Sequence, residues 1–263
     1  MPVTRPKNFW HKIYEPFIRK AAGLGVASLK PDPDRYEHKF EHCDVLVVGS
    51  GPSGLASTLA AAKNGARVIL AEDKSRFGGS LLTSEVTIGN QSGQEWAEKI
   101  ISELKSMPNV VVKNRSQVFG YYDHNMLVMS ERISDHLPKT EKYIPKQRLW
   151  YIRAKEVIIS SGSIERPLVF GNNDTPGVML SSAAKEYLKI YGVLVGKKPL
   201  VFTNNDSGYE TAIEFKKNGI NPIVLDTRKD PNSEIIKEAK ALNINIKPSC
   251  VVVAAKGYKK VNS

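Results

Sequence analysis

The stretch Asp44–Glu72, DVLVVGSGPSGLASTLAAAKNGARVILAE, decides the fold of the chain. It opens with an apolar, β-branched run that is typical of a strand buried on both faces. Three glycines follow at the spacing G-x-G-x-x-G: Gly49, Gly51 and Gly54. In this pattern the first glycine permits a tight turn and the second lets a pyrophosphate approach the backbone. The third lets the next helix pack closely against the sheet.

A helix and a second strand follow these glycines and complete a βαβ unit. The helix is predicted from about Gly54 to Asn64, and Gly65 stands where a left-handed C-cap belongs. The N-terminus of such a helix attracts phosphate through its unpaired N–H groups and its dipole. The second strand, Arg67–Ala71, leads to a carboxylate that can accept hydrogen bonds from ribose hydroxyls. The residues that this spacing predicts to bind a dinucleotide are Gly49, Gly51, Gly54 and Glu72.

Two other interpretations fit parts of the same stretch. Residues 45–62 carry no charge, as a membrane span would, but glycines, a proline and hydroxyl side chains interrupt the run. A βαβ unit that binds no ligand is the second alternative. The spacing favours a dinucleotide over both, but it does not separate NAD from FAD.

The composition is that of a soluble globular protein without a nucleic-acid or membrane partner. Of the 263 residues 41% are hydrophobic and 25% are charged, and the net charge is +11. The basic residues are dispersed and not interleaved with aromatics, which argues against nucleic-acid binding and fits an acidic partner subunit better. Residues 1–20 lack the apolar centre of a signal peptide. Two distant cysteines, Cys43 and Cys250, fit a reducing, cytoplasmic compartment.

The sequence contains no recognisable catalytic or metal-binding constellation. The five histidines form no ligand pair, and the two cysteines have neither metal spacing nor a redox C-x-x-C arrangement. No Ser/His/Asp set and no pair of carboxylates accompanies the glycine-rich turn. We therefore predict no catalytic residue and no metal site.

Three segments are predicted along the chain. Residues 1–43 are an N-terminal connector, 44–165 the first part of a dinucleotide-binding domain, and 166–263 a second Rossmann-like unit. The predicted fold class is α/β: a Rossmann-like FAD/NAD(P)-binding fold with a parallel sheet, an antiparallel meander and a second inserted βαβ unit. The predicted strands after Glu72 are 109–113, 117–122, 126–132, 149–154 and 155–159.

Within the connector, apolar residues from Phe9 to Ile18 recur at helix-like spacing and predict a short helix pair around Pro16. The proline-rich run Lys30–Arg35 predicts a stiff, extended linker. So many large apolar side chains on a short segment need a surface to cover, either on this chain or on a partner.

The second βαβ unit is predicted from about Gly196, with the acid Asp226 at the end of its second strand. Its turn, 203–208, keeps only the third glycine of the pattern, so side chains obstruct the approach of a pyrophosphate. This unit is predicted to be Rossmann-like in shape and poor at binding. A last strand is predicted at Cys250–Ala254, and because another should follow it, we expect the unit to be truncated.

Several short segments carry a family resemblance. FWHKIYEP at 9–16, PDPDRYEH at 31–38, RPLVFGNND at 166–174 and the residues 175–178, 187–192 and 202–206 resemble one family. They are similar to the α subunits of heterotetrameric sarcosine oxidases, and the similarity covers essentially the whole chain. It corresponds to only part of such a subunit.

The resemblance implies an activity, cofactors and partners. It implies that the glycine-loop site holds NAD, and that sarcosine is oxidised to glycine, with oxygen and tetrahydrofolate, on flavin in the β subunit. A second flavin would lie at the α–β interface, so flavins are expected in, or shared with, a partner subunit. The residues that the resemblance places around NAD are Ser53, Glu72, Asp73, Lys74, Ser80 and Val118.

Two alternatives stay open from the sequence. The chain fits a self-contained FAD- or NAD(P)-dependent pyridine nucleotide oxidoreductase, which needs an electron-acceptor site of its own. It also fits a non-catalytic assembly module, which the apolar N-terminal segment allows. A nucleotide-bearing, by itself inactive part of an oxidase fits the sequence best, because the second glycine pattern is degraded and no C-x-x-C is present.

Overall fold

The computed structural model describes residues 8–23, 25, 29–138 and 143–262. The rest of the predicted connector, residues 1–7, 24 and 26–28, lies outside this description. In chain order the elements are α1 (Glu15–Ala21), β1 (Tyr36–Val48), α2 (Pro52–Lys63), β2 (Val68–Ala71), β3 (Thr87–Ile88), β4 (Gln91–Ser92), α3 (Gly93–Ser106), β5 (Val110–Lys113), β6 (Ser116–Tyr122), β7 (Met126–Arg132), β8 (Gln147–Ile159), α4 (Ser181–Tyr191), β9 (Leu200–Thr203), α5 (Ser207–Lys217), β10 (Ile223–Asp226), α6 (Glu234–Ala241) and β11 (Asn245–Lys247).

A six-stranded mixed sheet carries the glycine-rich turn. Its strand order is β5-β2-β1-β8-β7-β6. The first four strands run parallel, so their carboxyl ends meet at one edge of the sheet, where ligands bind in folds of this type. β6 and β7 continue the sheet as an antiparallel meander with β8. The predicted α/β class, with its parallel sheet and meander, is confirmed.

β1 is much longer than the sequence predicts. It begins at Tyr36, inside the predicted connector, and pairs in parallel with β8 from Tyr36↔Gln147 to Val48↔Ile159. The strand predicted from Val45 is therefore only its buried end. Its first half alternates polar and aromatic residues and was not recognised, because its pairing partner is more than 100 residues away.

The two faces of the sheet bury two separate apolar clusters, because neighbouring residues of a strand point to opposite faces. Leu46 and Val47 illustrate this alternation on β1. The cluster beneath α2 and α3 contains Val47, Leu55, Ala62, Val68, Leu70, Leu81, Ala97, Ile100, Ile101 and Leu104. The cluster on the opposite face contains Cys43, Leu46, Ile69, Ala71, Leu127, Met129, Trp150, Ile152 and Ala154.

Local signals of the sequence define the ends of the helices well. α2 ends before Gly65, which has a φ of 81°. α3 begins with a capping box, in which Ser92 and Glu95 bond to each other's backbone N–H groups. In the meander, a turn lies at Asp123–Asn125, with His124 at a φ of 58°.

A separate three-stranded parallel sheet, of order β11-β10-β9, forms the second unit. Helices α5 and α6 cover it, and its core contains Val201, Tyr209, Val224 and Ile236. The inserted βαβ unit is thus confirmed, but the strand predicted at Cys250–Ala254 is wrong. Asn245–Lys247 pairs with β10 instead. Cys250 lies after the end of β11 and donates its N–H to the C=O of Asp226, the last residue of β10.

At the N-terminus one helix replaces the predicted helix pair. A π-helical turn, Trp10–Tyr14, continues directly into α1, and Pro16 is the second residue of α1. Phe17 and Ile13 are at least half exposed. Within the described ranges, no helix has both the length and the hydrophobicity to cross a lipid bilayer.

Candidate dinucleotide-binding site

Two of the three glycines in the turn are required by packing inside the chain. Gly49 has a φ of 99°, and a Cβ there would lie 2.3 Å from the C=O oxygen of Ser160. A Cβ on Gly54 would lie 1.9 Å from the C=O oxygen of Gly49. Since real Cβ atoms do not approach other atoms so closely, both positions accept only glycine without a shift of the backbone.

Gly51 differs, because nothing inside the described structure requires it to be a glycine. Its φ of −65° is accessible to any residue, and a Cβ there would meet no heavy atom within 4 Å. Gly51 is the N-cap of α2 and supplies no side chain to the helix end. The first intrahelical bond runs from the N–H of Leu55 to the C=O of Gly51, so the N–H groups of Ser53 and Gly54 precede it. Open space therefore lies at an uncapped helix N-terminus, where anions bind favourably.

Glu72 lies beside this turn at the end of β2 and is 7% exposed. Its Oε2 accepts from the backbone N–H of Ser50 at 2.9 Å and from the Ser50 hydroxyl at 2.5 Å. Its Oε1 accepts from the N–H of Lys74 at 3.0 Å. A carboxylate has about four acceptor positions, so Oε1 retains capacity for one further donor.

Ser50 is a residue of the candidate site that the sequence analysis does not predict. Its side chain is fully buried, and it connects the glycine turn to Glu72 and to the loop that follows β2. Gly78 donates its N–H to both the C=O and the hydroxyl of Ser50, at 3.1 and 3.2 Å. The only sequence signal was a small hydroxyl residue between two glycines, which does not reveal its partners.

The Gly78-Gly79 loop lies against the backbone of the glycine turn. Gly79 has a φ of 54°, and a Cβ there would lie 2.8 Å from the Cα of Gly51. A short 3-10 helix then begins and carries Ser80, which is exposed. The loop thus brings Ser80 to the same side of the sheet as Gly51.

The remaining residues predicted to line the site follow Glu72 or lie on β6. The N–H of Ser116 donates to the C=O of Glu72 at 2.7 Å, which places the start of β6 beside the end of β2. Val118 is two residues further along this edge strand, where the pairing with β7 shifts register. Asp73 is exposed, and its C=O accepts from the guanidinium of Arg132.

Lys74 makes a contact that links the two units. Its Nζ donates to both carboxylate oxygens of Glu186, on α4, at 2.8 and 2.9 Å. Partial burial acts to lower the pKa of Lys74, but the hydrogen bond and the charge of Glu186, helped by Asp73, raise it above its usual value.

In the second unit, side chains of the turn satisfy one another. Asn205 accepts from both the N–H and the hydroxyl of Ser207 through its Oδ1, at 2.9 and 2.7 Å. The hydroxyl of Thr203 donates to the C=O of Asn205. A Cβ on Gly208 would lie 2.7 Å from the Cβ of Thr203. The only glycine retained from the pattern is therefore needed for packing, and Asn205 already occupies donors at the start of α5.

The acid at the end of β10 is also bound within the chain. Asp226 is fully buried, accepts from the Tyr209 hydroxyl at 2.8 Å and pairs with the Arg228 guanidinium at 2.8–3.2 Å. Arg228 also pairs with Asp206 of the turn at 2.8 Å. Burial opposes ionisation of Asp226, but Arg228 outweighs it and lowers the pKa of that carboxyl. These contacts with Tyr209 and Arg228 occupy the carboxylate of Asp226, which would otherwise accept from a ribose hydroxyl.

Other potential sites in the described part of the chain are sparse. No group of three or more His, Cys, Asp or Glu side chains there is placed to hold a metal ion. A surface cavity of about 320 Å³ lies between the 3-10 helix, α3 and α4 and does not include the glycine turn. Its lining residues are Leu81, Leu82, Ser84, Glu85, Val86, Thr87, Ser92, Gln94 and Lys189.

Comparison with known proteins agrees with this geometry. Residues 44–127 match the family model described as FAD dependent oxidoreductase. Sarcosine oxidase subunit alpha of Rhizobium meliloti (strain 1021) is 43% identical over 259 residues, which are 98% of this chain and 26% of that protein. The same subunit of Corynebacterium sp. (strain P-1) is 37% identical over 233 residues, 88% of this chain and 24% of that protein. The chain is related to sarcosine oxidase alpha subunits. It spans about a quarter of their length.

A solved structure has a fold similar to that of this chain. The crystal structure of L-proline dehydrogenase from P. horikoshii superimposes with a TM-score of 0.60 at 22% identity, covering 79% of this chain and 40% of that one. The family resemblance seen in the sequence is confirmed, and the fold is that of flavin- or NAD(P)-binding oxidoreductases.

Proposed function

We propose that this chain is the NAD-binding portion of the α subunit of a sarcosine oxidase complex. The observation that carries the proposal is the open space over Gly51. Gly49 and Gly54 are glycines for reasons internal to the fold, whereas Gly51 has no such reason. A pyrophosphate that lies against the backbone supplies one.

Each predicted residue then has a physical task. The N-terminus of α2 faces the pyrophosphate with the N–H groups of Ser53 and Gly54, and its dipole favours the negative charge. Glu72 accepts from a hydroxyl of the adenosine ribose through its free capacity on Oε1. Val118, on the edge strand, offers backbone to the adenine. The other side chains proposed to line the site are Asp73, Lys74 and Ser80.

NAD is the nucleotide that the family resemblance of the sequence implies, and FAD is the competing occupant. The matched family model, over residues 44–127, is described as FAD dependent. NAD and FAD contain the same adenosine and pyrophosphate groups. A glycine turn, a helix N-terminus and an acid therefore bind these groups of both molecules in the same way. Denaturing the purified chain and identifying the released nucleotide by mass spectrometry decides between them. NAD is expected, and FAD as the major released species would overturn this assignment.

We further propose that sarcosine is oxidised on flavin in a partner subunit and not by this chain. The carboxylates described around the glycine turn, Glu72 and Glu186, accept from Ser50 and Lys74 of the same chain, which fits a role in binding and positioning. The purified chain is therefore expected to produce no hydrogen peroxide with sarcosine. Peroxide formation at a rate proportional to the concentration of this chain alone would contradict the proposal.

A further inference from the structure

Lys74 forms an ion pair with Glu186, and this pair affects which nucleotides the site binds. Lys74 stands two residues after Glu72 and donates its N–H to that carboxylate, so its backbone is part of the ribose end of the site. Its side chain is half exposed, and its ammonium group is paired within the chain. Glu186 holds it with both carboxylate oxygens, at 2.8 and 2.9 Å, although the two residues are 112 positions apart.

The charges at the end of β2 are therefore predominantly negative. Glu72 and Asp73 are carboxylates, and the ion pair of Lys74 with Glu186 has no net charge. Arg132 is directed to the C=O of Asp73, at 2.6 Å. An acid at this position is the usual feature that accepts a free 2′-hydroxyl, whereas a nearby cation accommodates a 2′-phosphate.

We propose that Glu186 is a specificity-determining residue that excludes nucleotides with a 2′-phosphate on the adenosine ribose. This inference rests on the proposed binding of a dinucleotide by the first βαβ unit. Without Glu186, Lys74 would be a cation next to the ribose and could pair with a 2′-phosphate. With Glu186 in place, the charge of that cation is neutralised, and it does not compensate the carboxylates of Glu72 and Asp73 when a phosphate approaches. The selectivity is thus built partly by α4, outside the glycine turn and its βαβ unit.

The test compares two probes that share the adenosine half of NAD and FAD. ADP-ribose and 2′-phospho-ADP-ribose are titrated calorimetrically into the purified chain and into Glu186→Gln, which preserves size and removes the charge. Glu186 is on the surface, so the variant is expected to fold normally. The matched control is Glu103→Gln, which removes one carboxylate from a surface pair with Lys63 at the opposite end of α2.

Glu186→Gln is expected to tighten binding of 2′-phospho-ADP-ribose by roughly fivefold, the order expected for one unit charge near an exposed phosphate. Binding of ADP-ribose should change by less than about twofold, and Glu103→Gln should change neither. The increase in affinity for 2′-phospho-ADP-ribose should be smaller at high ionic strength and in the Lys74→Met background, because it depends on the charge of Lys74.

Two failures are distinguishable. If the parent chain binds ADP-ribose but Glu186→Gln leaves the ratio of the two affinities unchanged, Glu186 does not determine specificity. If the parent chain binds neither probe at millimolar concentration, the proposed dinucleotide site itself is wrong, and this inference is wrong with it.

Discussion

Ser50 donates both its backbone N–H and its hydroxyl to one carboxylate oxygen of Glu72. The two residues are 22 positions apart, and both are almost completely buried. This pair fixes the orientation of the acid at the end of β2 relative to the glycine turn. Because Ser50 also accepts from Gly78, it joins three segments that surround the proposed nucleotide.

Replacing Ser50 by alanine is expected to affect both stability and binding. Glu72 loses a buried, charge-assisted hydrogen bond, which should lower the free energy of unfolding by about 1–3 kcal/mol. The carboxylate is then less well oriented, and the Kd for NAD should rise about tenfold, as for one ordinary hydrogen bond lost. Urea denaturation and calorimetry measure the two effects. Ser57→Ala, on α2, is the matched control, and equal effects from both variants would show that Ser50 has no special role.

Gly54→Ala is expected to destabilise the fold even without a nucleotide. The added methyl group has to displace the backbone of Gly49, and overpacking of this kind costs about 1–3 kcal/mol. Gly196→Ala is the control, since a Cβ there meets no atom within 4 Å. The two variants are compared by thermal unfolding in nucleotide-free buffer. A Tm of Gly54→Ala equal to that of the control would show that the close approach of α2 to the turn is not required.

The second unit is expected to bind no dinucleotide, so titration should give one equivalent of NAD per chain. Asn205 already accepts from the N–H and the hydroxyl of Ser207 at the start of α5, and Arg228 pairs with Asp226. Gly208→Ala should lower stability through its contact with Thr203 but should leave the Kd for NAD unchanged. Two equivalents bound, or loss of one on Gly208→Ala, would contradict this assignment.

The free energy of unfolding should depend on the charge of Glu85 at acid pH. Lys217, followed by Glu214 and Lys189, lowers the pKa of this carboxyl to about 2 from 4.5. Its folded-state pKa is depressed, so its contribution is complete above about pH 4.5 and disappears as the pH falls toward about 2. The residue is exposed, so the contribution at pH 7 should stay below about 1 kcal/mol.

The measurement compares urea denaturation of the parent chain and Glu85→Gln at several pH values. The difference between them should be present at pH 7 and should vanish near pH 2. Glu98→Gln, whose carboxylate accepts from the uncharged Gln94, controls for the loss of one acidic group. A difference that grows as the pH falls would have the wrong sign and would refute the assignment.

The elements encoded by local patterns could be predicted from the sequence. The glycine spacing, the capping box at Ser92 and the turn around His124 each depend on residues close together in the chain, and the structure contains all three. Glu72 could be found in the same way, because one strand separates it from the helix.

Features that depend on distant partners could not be predicted. The first half of β1 forms a strand because β8 pairs with it, and β11 replaces Cys250–Ala254 because β10 pairs with Asn245–Lys247. Likewise, Ser50 and Glu186 acquire their roles only through contacts across the fold. Periodicity and spacing contain no information on such contacts.

The central claim is that the bare backbone of Gly51 receives a pyrophosphate. Because a Cβ at this position meets no heavy atom within 4 Å, Gly51→Val is expected to unfold at nearly the same temperature as the parent chain. Gly196→Val controls for the substitution itself. Calorimetric titration with NAD should show one equivalent bound to the parent chain and to the control, and no detectable binding to Gly51→Val. Binding of NAD to folded Gly51→Val with the affinity of the parent chain would contradict the account.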